Sequence, residues 1–78
     1  NRMSADRRIN SSAVAFQTPD DYRLINSCEA VRFYLGGERV MRRIVFGYYQ
    51  KTACILVEPV DYPGAQNPAD TRKTVPAV

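Results

Sequence analysis

The feature that most constrains this chain is a change of hydrophobic period at Ala30. From there Val31, Phe33 and Leu35 alternate with Arg32 and Tyr34, the period of a strand with one buried face. Gly36-Gly37 follows, two residues free to take positive φ, so the chain turns tightly and runs back as a second strand from Arg39 to Tyr49. A two-residue turn sets Phe33 opposite Val40, Tyr34 opposite Arg39 and Val31 opposite Arg42. A longer loop through Glu38 shifts that register and exchanges the faces.

The second strand carries Val40, Ile44, Phe46 and Tyr48 on one side and Met41, Arg43, Val45 and Tyr49 on the other. Neither side is cleanly polar, which predicts a central strand. Gly47 is the expected place for a bulge or sharp bend. Tyr49 to Thr52 turns the chain again, and the apolar run from Ala53 to Val57, bounded by Glu58-Pro59, predicts a third, well-buried strand.

Upstream, Thr18-Pro19-Asp20-Asp21 is a helix start: Thr18 caps, Pro19 suits the first helical position, and both aspartates favour the positive end of the helix dipole. The helix is expected to run to about Ser27, with Tyr22, Leu24, Ile25 and Cys28 in its apolar stripe. Capping accounts for Asp20 and Asp21 without a catalytic role. Ser12 to Gln17 is compatible with a short strand presenting Val14 and Phe16 on one face.

These elements predict a single α+β domain over 13–62: a small antiparallel, barrel-like sheet, built as a three-strand meander with possible edge strands, and one short helix. Residues 1–12, with Arg2, Arg7 and Arg8, read as a flexible basic arm, with one helical turn from Ser4 to Ile9 as the alternative. Residues 63–78, rich in Pro, Gly, Asn, Asp and Thr, read as an extended C-terminal tail whose end, Val75 to Val78, adds an edge strand or packs on a neighbour.

At 78 residues, a lone core supplies only about 3–5 kcal/mol, so added support is expected. With no His and only Cys28 and Cys54, widely separated, a structural zinc site has no usual ligand set, and no metal or cofactor is expected. The two thiols are expected to stay reduced and partly buried, in keeping with a cytoplasmic location and the lack of an apolar leader; a Cys28–Cys54 disulfide is the alternative for an exported chain. Oligomerisation is then the expected support. No run of 18 or more apolar residues is present, so no membrane span is expected.

Catalysis is not expected. A Ser or Cys nucleophile lacks a His base, no nucleophile elbow is present, and Gly36-Gly37 lacks the frame of a phosphate loop. The suggestive constellation is basic and aromatic: Arg39, Arg42 and Arg43 with Phe46, Tyr48 and Tyr49, supported by Arg32, Tyr34 and Lys51. From Arg39 to Lys51 there are four positive charges and no acid. Tyr and Arg are enriched in protein interfaces, and guanidinium and aromatic groups on a curved sheet also hold single-stranded nucleic acid. The net charge of +3, from eleven basic and eight acidic residues, permits a polyanion without requiring one.

The short helix followed by a bent meander, with Val31 to Leu35 as first strand and Gly47-Tyr48-Tyr49 as bend, resembles the start of an Sm-like or Hfq-like ring protein. That family's second-strand Gly, Asp after the bend and later Asn are replaced by Arg43, Tyr49 and Ala53, and its second motif is missing. The resemblance implies a small curled sheet that oligomerises and transfers no site residues. The expected function is therefore a non-catalytic binding or assembly module acting through protein contacts, as a homo-oligomer, on Arg39, Arg42, Arg43, Phe46, Tyr48 and Tyr49. RNA or single-stranded DNA binding by the same patch is the alternative.

Overall fold

The computed structural model describes residues 16–77. The arm expected at 1–12 and the first residues of the short strand expected at 12–17 lie outside the described residues; Phe16 stands in a turn, fully buried. One helix and four strands follow: α1 (Pro19–Ile25), β1 (Ala30–Leu35), β2 (Glu38–Tyr49), β3 (Thr52–Asp61) and β4 (Pro68–Val75).

Helix α1 begins as its capping residues dictate. Thr18 has extended backbone angles and its hydroxyl accepts from the Asp21 N–H at 3.1 Å, while Pro19 opens the first turn. The helix closes at Asn26, whose N–H donates to the Tyr22 carbonyl at 2.9 Å. Asp20 pairs with Arg23 on the surface. Asp21 turns inward and meets Lys73 of β4 at 2.9 Å, tying the helix to the last strand.

Gly36 and Gly37 both have positive φ and make the two-residue turn between β1 and β2. The resulting register pairs Phe33 with Val40, Tyr34 with Arg39 and Val31 with Arg42, as the two-residue turn predicts. Val31 and Phe33 are fully buried while Arg32 and Tyr34 are partly exposed. The inner face of the sheet and α1 enclose one core of Phe16, Ile25, Val31, Phe33, Ile55, Val57, Ala69 and Val75. Phe16 meets Phe33 edge to face, with ring centres 5.4 Å apart.

The sheet is mixed and open, with strand order β3-β2-β1-β4, rather than antiparallel and barrel-like: β4 pairs parallel to β1. The parallel strand arises because the chain leaves β3 and crosses back to the start of β1 through residues 62–67. Glu29 holds this crossover. Its carboxylate accepts from the N–H groups of Gln66 and Asn67, the second at 2.9 Å, and its own N–H donates to the Asn67 carbonyl at 3.0 Å. Once the crossover is pinned beside Ala30, Pro68 opens a strand alongside β1. The likeness to ring proteins, which rested on helix and bend order, does not extend to this parallel pairing.

Strand β3 also runs further than the apolar run predicts, through Pro59 to Asp61. Proline is tolerated there because β3 is an edge strand and the ladder is irregular at that point. The expected distortion at Gly47 is absent. Its pairing with Cys54 is regular, and the space a Cβ would take is filled by the Leu56 side chain. The irregularity falls instead between Arg42 and Ile44: β2 advances two residues (42 to 44) while β3 covers four (57 to 61).

Candidate functional surfaces

Two ladders in this sheet carry bulges, and each is braced by an arginine of β2. Opposite β3, where Glu58 to Val60 leave the ladder, Arg42 donates from Nε to the Asp61 carboxylate at 2.9 Å and from a terminal nitrogen to the Glu58 carbonyl at 3.3 Å. Its side chain is only 15% exposed. Opposite β4, β1 advances two residues (32 to 34) while β4 covers four (70 to 74). Here Thr71 donates its hydroxyl hydrogen to the Arg32 carbonyl at 2.9 Å, and Arg39 donates to the Thr71 carbonyl and to Asp70. A backbone carbonyl expelled from a ladder needs a donor, and a guanidinium supplies several in a rigid fork.

Arg39 lies with its guanidinium carbon 4.7 Å from the centre of the Tyr34 ring, and Asp70 also faces Arg32 at 3.7 Å. A shallow depression of about 260 Å³ opens nearby, lined by Arg32, Arg39, Val40, Met41, Asp61 and Pro63. Arg43 stands exposed, 5.8 Å from the centre of the Tyr62 ring. The Tyr62 hydroxyl in turn donates to Glu29 at 3.4 Å. Two backbone N–H groups, first that of Gln66 and then that of Asn67, hold the Glu29 carboxyl below the usual carboxylate range. Burial pushes the Cys54 thiol and the Tyr22 phenol up.

The aromatic half of the expected patch lies elsewhere. The residue pairing of β1 with β2 ends at Arg43, with the Ile44 N–H still donating to the Glu29 carbonyl, so from Val45 onward β2 is paired only with β3; this two-stranded arm keeps Ile55 in the core. On the arm Phe46 is 57% exposed and Tyr48 74% exposed. Both share the face of their partners Ile55 and Ala53. By alternation Arg39 and Arg43 point to the opposite face from Phe46 and Tyr48. Val45 and Val60 are exposed as well. The six residues expected to act together therefore divide: Arg42 and Arg39 brace the bulges, Arg43 lies over Tyr62, and Phe46 and Tyr48 stand on the arm. The Tyr49 side chain, and Arg2, Arg7 and Arg8, lie outside the described residues.

The arm turns through Gln50 and Lys51, both with positive φ, the conformation that a two-residue hairpin turn requires. Asp21 of α1 pairs with Lys73, Asp61 of β3 with Arg42 and Asp70 of β4 with Arg39. Among the described residues no group of three or more Cys, Asp or Glu side chains is placed to hold a metal ion. No helix among them is long and apolar enough to cross a membrane. Glu29 was the residue sequence reasoning passed over, because its partners are backbone N–H groups that leave no side-chain pattern. Comparison of the chain with protein-family models, with curated proteins and with solved structures found no match.

Proposed function

We propose that this protein is a small, non-catalytic assembly module that works through protein–protein contacts made by the two-stranded β2–β3 arm, and that it forms homo-oligomers. The observation that carries this reading is the exposure of Phe46 and Tyr48 on one face of the arm, beyond the reach of β1. Large aromatic side chains bury much area at low entropic cost, which is why they dominate the energetics of interfaces. The arm is held to the body through Cys54 and Ile55, both fully buried, which leaves Phe46 and Tyr48 as its exposed aromatic surface. Cys28 and Cys54 as free thiols accord with a reducing, cytoplasmic setting.

Replacing Phe46 and Tyr48 together by Ser tests the reading by sedimentation velocity. The expected result is loss of self-association or of partner capture, with the melting temperature of the monomer little changed. An unaltered sedimentation profile would count against the arm.

A second reading, RNA or single-stranded DNA binding, is favoured by one observation: Arg43 and Arg72 are exposed, with the partly exposed rings of Tyr34 beside Arg39 and of Tyr62 beside Arg43. Phosphate-driven binding must weaken steeply between about 50 and 200 mM salt. Fluorescence anisotropy with short RNA and DNA over that range, repeated with Arg43→Gln, separates the readings, because assembly through Phe46 and Tyr48 does not require Arg43.

A further inference from the structure

We infer that the depression over Met41 is a binding site for a small organic anion, a carboxylate or phosphate group joined to a short apolar body. Met41 is on the opposite face of β2 from Phe46 and Tyr48, so the site goes beyond the reading of the arm and does not depend on it.

The register builds the site. Arg32 stands directly opposite Met41 across the β1–β2 ladder, and Arg39 lies two residues before Met41 on the same face. On the other side of β2, the Tyr62 N–H donates to the Met41 carbonyl at 2.8 Å and Asp61 pairs with Arg42, which sets Asp61 and Pro63 alongside. Together with Val40, these residues line the depression of about 260 Å³. Sites for drug-sized ligands span roughly 300–1,000 Å³, so this one suits a smaller molecule.

Charge and donors select the occupant. Asp61 is committed to Arg42, and Asp70 is shared between Arg32 and Arg39. Three guanidinium groups therefore face two carboxylates, and one positive charge is left over. It falls to Arg32. Arg39 donates to Asp70 and to the Thr71 carbonyl. Asp70, by contrast, is 3.7 Å from Arg32, beyond hydrogen-bond reach, and the Arg32 guanidinium makes no hydrogen bond to any described residue. The Arg32 side chain is 40% exposed, so its fork of N–H donors is open to a ligand yet partly withdrawn from water. A carboxylate or phosphate accepts two such donors at once, and the attraction strengthens where water is partly excluded. Met41 and Pro63 place apolar surface beside that fork, which a bare inorganic ion leaves uncovered. A ligand with a charged head and an apolar body uses both.

The test is an NMR titration at fixed ionic strength, read at the backbone amides, the arginine Nε–H groups and the methionine methyls. The probes are benzoate and phenyl phosphate. Benzamide serves as the uncharged counterpart of benzoate, and acetate and inorganic phosphate as heads without a body. Benzoate, phenyl phosphate or both are expected to give saturable shifts at the Arg32 Nε–H and the Met41 methyl, and the tighter of the two names the head group. Acetate and inorganic phosphate are expected to bind at least about tenfold more weakly, and benzamide to leave the signals in place. Arg32→Gln is expected to abolish the saturable shifts; it keeps the Arg32 backbone carbonyl that takes the Thr71 hydroxyl, and circular dichroism monitors its fold. Arg23→Gln, which removes an equal charge from the exposed surface of α1, is expected to leave them intact. Shifts that grow without saturating, that spread evenly over the other arginines, or that survive Arg32→Gln overturn the site. Benzamide binding as tightly as benzoate in the unaltered protein overturns it as well, whether or not the variant folds. A short RNA that shifts Arg32 where neither probe does would give this face to nucleic acid and overturn the small-ligand site.

Discussion

Replacing Arg42 by Met is expected to destabilise the fold severely, although Arg42 and its neighbour Arg43 are indistinguishable in charge. Methionine keeps the apolar stem and removes both polar contacts. The bond to the Glu58 carbonyl is charge-assisted and sits at a side chain that is 15% exposed; bonds of that kind contribute about 1.5–3 kcal/mol. The pair with Asp61 contributes less, about 0.2–1 kcal/mol, because Asp61 is 67% exposed and water screens it. The loss is therefore roughly 2–4 kcal/mol out of a total of about 4–12 kcal/mol for a chain of this length. In melting temperature that is a fall of roughly 8–30 °C. Arg43→Met removes a long contact with the Tyr62 ring at an exposed site and is expected to cost under about 1 kcal/mol. Arg39→Met, whose side chain is 30% exposed and which braces the β4 bulge, should fall between them. Urea unfolding followed by circular dichroism gives all three values. Equal effects of Arg42→Met and Arg43→Met would refute the reasoning, because they would show that the bulge carbonyl is as well served by water as by the guanidinium.

Two further outcomes follow from the crossover and the first turn. The Glu29 carboxyl is held below its ordinary value of 4.5, so its contribution to stability is present above about pH 4.5 and is lost as pH falls through the lower folded-state value. The urea midpoint should fall with acid over that window, and Glu29→Gln should flatten the fall; an unchanged acid profile in the variant would show that other carboxyls govern it. Gly36 and Gly37 both have positive φ, but a Cβ at Gly36 would lie 2.8 Å from the Ala77 Cβ, whereas Gly37 has nothing within 4 Å. Gly37→Ala is expected to cost about 1–2 kcal/mol from backbone strain, and Gly36→Ala clearly more, as measured by thermal unfolding.

The parts of the fold that local chemistry determines were legible in the residues. Thr18 and Pro19 place the helix start, and Gly36-Gly37 sets the register of β1 on β2 pair by pair. Strand β4 was not legible as a parallel neighbour. Its inward positions Ala69, Thr71, Lys73 and Val75 alternate with the exposed Asp70, Arg72 and Thr74, but only Ala69 and Val75 among them are apolar, so the alternation leaves no hydrophobic period in the residues. Its place is fixed by Glu29, a single carboxylate that grips backbone N–H groups far along the chain. Arg42 did carry a signal: it shares the side of Val40 and Ile44, the side turned to the core, and a charge at such a position must be satisfied from within. Phe46 and Tyr48 were legible as surface candidates in the residues; what the residues did not show is that β1 pairing ends at Arg43 and leaves them with β3 alone as neighbour.

Strand β2 is long enough to serve two different neighbours, and this explains why its basic and aromatic residues do different work. Its first half is sandwiched between β1 and the bulged end of β3, where protruding carbonyls demand donors, and Arg39 and Arg42 supply them. Its second half has a neighbour on one side only, where no carbonyl protrudes and no brace is needed, so Phe46 and Tyr48 are spared for contact with another surface. The same division separates the edges. Bulge, proline and charge close β4 and the end of β3, while the uncharged start of β3 lies beside the exposed aromatics. A charge reversal at Arg42 would therefore report on folding before it reported on binding, and the residues that interrogate the surface alone are Arg43, Phe46 and Tyr48.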